Sequence, residues 1–295
     1  MSVAPRLYLL PCTANNGGGI GKVAFPSRTL SIVFSSRPPL KASSARNGGA
    51  SKRSQGFSVL SSDTLWDKGS LWSTTGAYFF GLHIPLSFGG LSVVSQILHQ
   101  TTLDPQTQAV SLVIIQTLEL LGALALLGYS AKHPSKLPSL FSGQEAPKGR
   151  NWIVASAVGF GFLMLLVFLA SFLADRLIGP KDVNNPVLKE ILSSGTIARS
   201  SCFLVYCFIT PLMEEIVYRG FLLSSLISSN FQWQHAVIIS SCIFSAAHLS
   251  VENSIQLFLI GCVLGSTCCW SGKLSSSFVV HSLYNAATLI YTILS

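Results

Sequence analysis

The chain has 295 residues, of which 49% are hydrophobic and only 10% are charged. A soluble domain usually carries about a quarter of charged residues, so this composition argues against a soluble protein and favours an integral membrane protein. The net charge of +8 does not indicate a nucleic-acid-binding face, because the excess basic residues all precede the first acidic residue, Asp63.

The first 60 residues have the composition of an organellar targeting segment. They are rich in Ser, Gly and Arg, contain no Asp or Glu, and include no apolar run long enough for a secretory signal peptide. The alternative is an untargeted, disordered basic tail. The high Ser content favours a chloroplast transit peptide over a mitochondrial one, and we expect cleavage between residues 40 and 65.

Apolar stretches long enough to span a membrane follow the targeting segment. The first three cover residues 74–98, 106–130 and 152–174. Pro85 predicts a kink in the first stretch. A polar connector over residues 176–199, with a short surface helix from Pro186, comes next.

Four further apolar stretches fill the last hundred residues and are joined by short turns. They cover residues 200–213, 236–250, 254–270 and 276–294. Short turns place neighbouring helices antiparallel. The sequence therefore predicts an all-α, polytopic membrane bundle of six to seven transmembrane helices, preceded by the disordered targeting segment.

Two adjacent carboxylates lie in the stretch PLMEEIVYRGFLL, residues 211–223. On a helix, Glu215 and Arg219 are four residues apart and can form an ion pair. Glu214 is turned about 100° away and cannot share that partner equally well. A carboxylate without a cationic partner in apolar surroundings takes up a proton more readily, which suits a general base near neutral pH. Alternatively, both acids form a polar helix cap at the membrane surface.

Two histidines lie in the helical stretches that follow. His248, in FSAAHLS, has Phe244 one turn before it, and a packing role is the alternative for this histidine. His281 and Asn285, in HSLYNAA, are four residues apart and share a helix face. Two convergent donors are what an oxyanion hole requires, whereas interhelical hydrogen bonding is the alternative. Antiparallel packing can bring all these side chains to one pocket.

Three short motifs, EEIVYR, FSAAH and HSLYN, resemble in this order those of the CAAX-protease and bacteriocin-processing family: E-E-x-x-x-R, F-x-x-x-H and H-x-x-x-N. The resemblance covers about residues 195–295 and implies that they form the catalytic core of a glutamate-type intramembrane endopeptidase, the type II CAAX prenyl endopeptidase group. Residues 61–194 then form an N-terminal helical part outside the resemblance.

The resemblance also implies a role for each matched residue. Glu214 and His248 would activate the attacking water, while His281 and Asn285 would stabilise the oxyanion. The ion pair of Glu215 with Arg219, together with Phe244, would support them, and no metal or other cofactor is expected.

A zinc site built from Glu214, His248 and His281 is the alternative for the cofactor. The chain has no H-E-x-x-H sequence. Asn285, the partner of His281 on the same helix face, is a poor zinc ligand. Both observations favour catalysis without a metal.

The expected function is hydrolysis of a peptide bond in a membrane-embedded or lipidated protein, in the chloroplast envelope or thylakoid, with the mitochondrion as the alternative. Prenylated CAAX proteins are cytosolic products, so a plastid location favours another substrate. A non-proteolytic scaffold or chaperone for membrane proteins is an alternative, since a fold does not fix a function. A small transporter is a third hypothesis, suggested by Glu119 in the second apolar stretch; Glu119 either pairs with Arg199 or lies near the substrate entrance.

Overall fold

The computed structural model describes residues 56–60, 65–133, 150–177, 179 and 186–294. These residues form eight helices of more than one turn: α1 (Leu71–Ile97), α2 (Pro105–Ser130), α3 (Trp152–Leu177), α4 (Pro186–Ser193), α5 (Thr196–Ser228), α6 (Trp233–Ala247), α7 (Ser254–Ser271) and α8 (Leu274–Leu294). A single turn of 3-10 helix, Lys68–Ser70, precedes α1. The predicted all-α class is confirmed.

Six of these helices, α1, α2, α3, α5, α7 and α8, are long and apolar enough to cross a membrane. Helix α6 is apolar but has only 15 residues. Large apolar side chains on α3, such as Ile153, Phe162 and Phe168, are more than half exposed. An apolar surface of this kind is suited to lipid rather than to water. The chain is therefore a multi-pass membrane protein, in agreement with the predicted number of spans.

Helix α5 is longer than the sequence predicts. The predicted end at residue 213 is wrong, because the helix continues to Ser228. The two carboxylates therefore lie in the middle of a 33-residue helix and not at its end. The charged side chains of this stretch suggest the end of a span in the sequence, but Glu215 and Arg219 pair with each other inside the bundle.

Helix α1 contains a π-helical segment, Phe79–Phe88, which includes Pro85. Hydrogen bonds in a π-helix run between residues five apart. Proline cannot donate such a bond, so a change of helical pattern around it is expected. The disturbance predicted at Pro85 therefore takes the form of a wider helical turn, which alters the residues that share a face.

Helices α6 and α7 approach each other closely along the GCVLG sequence of α7. A Cβ on Gly261 would lie 2.9 Å from the Cβ and 3.1 Å from the Cα of Ser241, and one on Gly265 would lie 3.2 Å from Val237. Small residues four apart are a common means of close packing between membrane helices. This contact aligns α6, which ends at the candidate site, with the rest of the bundle.

Residues 56–60 pack on the bundle ahead of α1. Arg150 donates hydrogen bonds to the carbonyl oxygens of Gly56 and Phe57, both at 2.6 Å. This stretch belongs to the predicted targeting segment, so the contacts favour a cleavage point ahead of Gly56. Residues 1–55 lie outside the described part of the chain, and targeting itself stays a prediction.

Candidate active site

A cavity of about 190 Å³ lies among helices α1 and α2 and helices α4 to α8. All four residues predicted to be catalytic, Glu214, His248, His281 and Asn285, line this cavity. Their helices are separated in sequence by short turns, as the antiparallel arrangement requires. The structure therefore brings the predicted residues together.

Glu214 lies between the two histidines of the cavity. Its Oε1 atom is 3.8 Å from Nε2 of His248, and its Oε2 atom is 3.6 Å from Nε2 of His281. The residue is only 6% exposed. Both distances exceed that of a direct hydrogen bond, and a water molecule in contact with both partners would lie beside the line that joins them.

Glu215 is fully buried and contacts two potential cations. Its Oε1 atom lies 3.1 Å from Nη1 of Arg219 and 3.0 Å from Nδ1 of His281. The predicted pair of Glu215 with Arg219 is therefore present in the structure. The contact with His281 was not predicted, and it means that Glu215 both holds Arg219 and orients a histidine of the cavity.

Phe244 packs among the charged and aromatic groups of the site. The guanidinium carbon of Arg219 lies 4.6 Å from the centre of the Phe244 ring, and the ring of His248 lies 4.7 Å from it, edge to face. The Nδ1 atom of His248 donates to the Phe244 carbonyl oxygen at 2.8 Å. This bond sets the tautomer: a neutral His248 carries its proton on Nδ1 and presents a lone pair at Nε2.

His248 is the C-cap residue of α6, directly after Ala247. The following residue, Leu249, has a φ of 47°, in the left-handed region that non-glycine residues rarely adopt. The His248 side chain is 31% exposed, in contrast to the buried His281. The sequence predicted that His248 lies within a helix, whereas the structure places it at the helix C-terminus.

Asn285 donates from Nδ2 to the carbonyl oxygen of Tyr206 at 2.8 Å. This bond fixes the amide orientation, with the nitrogen toward α5. Since an amide nitrogen carries two hydrogens, one donor remains for a ligand in the cavity.

His83 of α1 adds a polar group to the cavity lining beyond the predicted residues, and Glu119 of α2 lies behind it. His83 lines the cavity, and its Nδ1 atom lies 2.7 Å from Oε1 of Glu119. Glu119 is completely buried. The pairing of Glu119 with Arg199 is wrong, because Arg199 is exposed and its Nε atom donates to the carbonyl oxygen of Leu192. A charged residue inside an apolar stretch was the signal for this cluster, but it did not identify the partner.

Within the described part of the chain, no group of three or more His, Cys, Asp and Glu side chains is arranged to hold a metal ion. The alternative zinc site at Glu214, His248 and His281 gains no support from this geometry. Catalysis without a metal stays a prediction, which the activity of the chelator-treated protein would test.

Comparison with known families agrees with the motifs. Residues 197–287 match the family model described as Rce1-like, type II CAAX prenyl endopeptidase Rce1-like. No curated protein and no solved structure matches the chain. The matched segment covers less than half of the chain, from α5 to α8, and includes the four cavity residues predicted to be catalytic. The chain is thus a multi-pass membrane protein that carries a type II CAAX prenyl endopeptidase Rce1-like domain at residues 197–287.

Proposed function

We propose that the protein is an intramembrane endopeptidase that hydrolyses a peptide bond of a membrane-associated or prenylated protein. The observation that carries the proposal is the position of the Glu214 carboxylate, buried in the cavity and within 4 Å of Nε2 of both His248 and His281. The family of the domain supports the reaction class.

The attacking water would bind between Glu214 and His248. Both groups accept hydrogen bonds there, Glu214 as a carboxylate and neutral His248 through Nε2. A water that donates both hydrogens in this way turns an oxygen lone pair toward the remaining space of the cavity. Its orientation is thus fixed before the substrate arrives, which is how positioned groups lower a barrier.

Glu214 would then act as the general base. It removes one proton from water as the water oxygen bonds to the scissile carbonyl carbon, and the carbonyl oxygen becomes an oxyanion. Collapse of this intermediate breaks the carbon–nitrogen bond, and Glu214 returns the proton to the leaving amine. The products are a new carboxyl group and a new amine, with one water consumed.

The oxyanion would be stabilised by Asn285 and His281. Asn285 offers its second amide hydrogen. His281 offers Nε2 as a donor when the ring is protonated on both nitrogens, and its Nδ1 atom then donates to Glu215 Oε1, 3.0 Å away. Arg219 balances the charge of Glu215 from the other side. Removing one such donor typically costs about 10²–10³ in kcat.

The lining of the cavity suits an apolar substrate segment. Away from the catalytic groups, aliphatic side chains such as Leu112, Leu257 and Leu289 alternate with neutral polar ones such as Gln116 and Asn253. Apolar walls with a few polar groups can bury apolar side chains or a lipid group while hydrogen-bonding a peptide backbone. A chloroplast membrane is the proposed location, on the strength of the N-terminal composition.

The proposal is tested with the full-length protein in lipid nanodiscs and a quenched fluorescent, farnesylated CAAX peptide. Glu214→Gln keeps the size of the side chain but removes the base, and we expect cleavage to fall by about 10²–10⁴. Glu190→Gln, at an exposed position of α4, is the matched control and should cleave normally.

Cleavage by Glu214→Gln at the wild-type rate would contradict the proposed mechanism. Failure of the folded wild-type protein to cleave this peptide and a panel of membrane-protein segments would contradict the protease proposal itself. In the same assay, dialysis against 1,10-phenanthroline should leave the wild-type rate unchanged. Loss of activity that added zinc restores would establish a metal mechanism instead.

A further inference from the structure

We propose that His83 is a positioning residue of this site, which holds the last peptide group of α6 and thereby places the imidazole of His248. Glu119 orients His83 for this task. The inference rests on the proposed role of His248, but the contacts that carry it come from α1 and α2, outside the family-matched segment 197–287.

The hydrogen bonds of His83 connect α2 to the end of α6. Its Nδ1 atom lies 2.7 Å from Oε1 of Glu119, and its Nε2 atom lies 3.3 Å from the carbonyl oxygen of Ala247. Both partners are acceptors, provided that Glu119 is ionised. His83 then donates from both ring nitrogens, and the pair is an imidazolium with a carboxylate.

The groups that surround Glu119 can all donate hydrogen bonds to an ionised carboxylate. In addition to His83, its oxygens accept from the hydroxyl of Tyr78 at 3.1 Å and that of Ser87 at 2.6 Å, and from Nε2 of Gln116 at 3.4 Å. An ionised carboxylate has enough lone pairs to accept from all four donors at once. A buried charge is retained in a protein interior when it is paired and hydrogen-bonded in this way.

Three aromatic rings fix the His83 side chain. Tyr78 stacks on it at a centroid distance of 5.6 Å, and Phe79 and Phe88 meet it edge to face at 5.5 and 5.9 Å. All four residues lie in or next to the π-helical segment of α1. The ring is therefore held on several sides, so the position of α1 determines where the His83 side chain meets the Ala247 carbonyl oxygen.

The Ala247 carbonyl is the group through which His83 would act. It belongs to the last turn of α6, where carbonyl oxygens lack partners within the helix. The peptide bond that starts at this carbonyl ends at the nitrogen of His248, and its planarity couples the two residues. A cationic ring is also favourable at a helix C-terminus.

His248 depends on this support because little else orients it from the α1 side. Its ring is hydrogen-bonded to Phe244 one turn back, and its side chain is 31% exposed. A shift of about 1 Å in a catalytic group can cost about 10²-fold in rate. Tethering the end of α6 to α1 would restrict such a shift.

The test compares two double variants of the full-length protein in nanodiscs. In His83→Gln/Glu119→Gln, the side chain at position 83 has an amide that can donate to the Ala247 carbonyl oxygen. In His83→Met/Glu119→Gln, a side chain of the same length has no donor. Glu119→Gln is present in both because an unpaired buried carboxylate would unfold the protein. His235→Gln, at an exposed position near the start of α6, is the control.

The primary measurement is the ¹⁵N NMR signal of His248 in histidine-labelled protein, assigned by its loss in His248→Asn. We expect this signal to shift in the Met variant, to lie near its wild-type position in the Gln variant, and to be unchanged in His235→Gln. If the farnesylated peptide is cleaved, the Met variant should lose about 10- to 100-fold in kcat, with little change in KM.

Identical His248 signals in the Met and Gln variants would overturn the proposal, whether or not any peptide is cleaved. The NMR result does not depend on catalysis. A wild-type protein that cleaves nothing but shows the expected shifts would contradict the proposed function and leave the positioning role of His83 supported.

Discussion

The buried ion pair of Glu215 with Arg219 gives the sharpest prediction for stability. Arg219→Met removes the contact with Glu215 at 3.1 Å, the hydrogen bond from Nη2 to the Gly261 carbonyl oxygen at 3.3 Å, and the stacking over Phe244. Arg219 is 2% exposed and Glu215 is 0% exposed, so solvent cannot replace these contacts.

The cost of Arg219→Met is dominated by the charge left behind on Glu215. Removing one partner of a buried pair typically costs about 3–5 kcal/mol of unfolding free energy. For a domain of this size, each 1 kcal/mol lowers the melting temperature by about 2–4 °C, so we expect a decrease of about 6–20 °C. His281 also contacts Glu215 and would compensate part of the loss, which favours the lower half of that range.

The assay is thermal unfolding in nanodiscs, followed by circular dichroism. Arg219→Met/Glu215→Gln, which removes both charges, should recover at least half of the decrease. Lys189→Met, on the exposed face of α4, is the matched control and should melt with the wild type. An Arg219→Met protein that melts within about 2 °C of the wild type would refute the reasoning, because the pair would then contribute nothing measurable.

Three further predictions concern helix packing, catalysis and the N-terminus. Gly261→Ala should lower the free energy of unfolding by about 1–3 kcal/mol in the same thermal assay, because its Cβ would lie 2.9 Å from that of Ser241. Gly161→Ala, whose Cβ meets nothing within 4 Å, is the control and should not destabilise the protein. Equal melting temperatures of the two variants would contradict the close packing of α6 on α7. Asn285→Ala should lower kcat for the farnesylated peptide by about 10²–10³ with a smaller effect on KM, whereas an unchanged kcat would remove Asn285 from the oxyanion site. Mass spectrometry of the mature protein should find a processed N-terminus ahead of Gly56, and one beyond residue 60 would contradict the packing of residues 56–60 against Arg150.

The grouping of the predicted residues could be inferred from the sequence because each pair lies within one helix. Glu215 with Arg219, and His281 with Asn285, are four residues apart, and ordinary helical geometry keeps such pairs on one face. Short turns between the helices then leave few arrangements of the bundle. These two local rules account for the predicted cavity.

The His83 cluster could not be inferred in the same way because α1 departs from ordinary helical geometry. In an α-helix, Tyr78 and His83 would point about 140° apart. In the π-helical segment, residues five apart lie nearly one above the other, and both side chains reach Glu119. A sequence pattern that assumes the α-helical period throughout therefore does not place Tyr78 and His83 on one face.

The extent of α5 was underestimated for a different reason. Glu214, Glu215 and Arg219 lower the local hydropathy, and a hydropathy pattern ends the span where they begin. Whether charges meet water or one another depends on the neighbouring helices. It is therefore a property of the tertiary structure, in which α8 places His281 against Glu215.

The central claim is that Glu214 activates water for direct attack on a peptide bond. Single-turnover hydrolysis of the farnesylated peptide in H₂¹⁸O tests it most directly. The account predicts one ¹⁸O atom in the new carboxyl group of the product, no ¹⁸O in the Glu214 side chain, and no product from folded Glu214→Gln. An ¹⁸O label on Glu214 after one turnover would indicate a covalent acyl intermediate, and product formation by Glu214→Gln at the wild-type rate would contradict the role of Glu214 altogether.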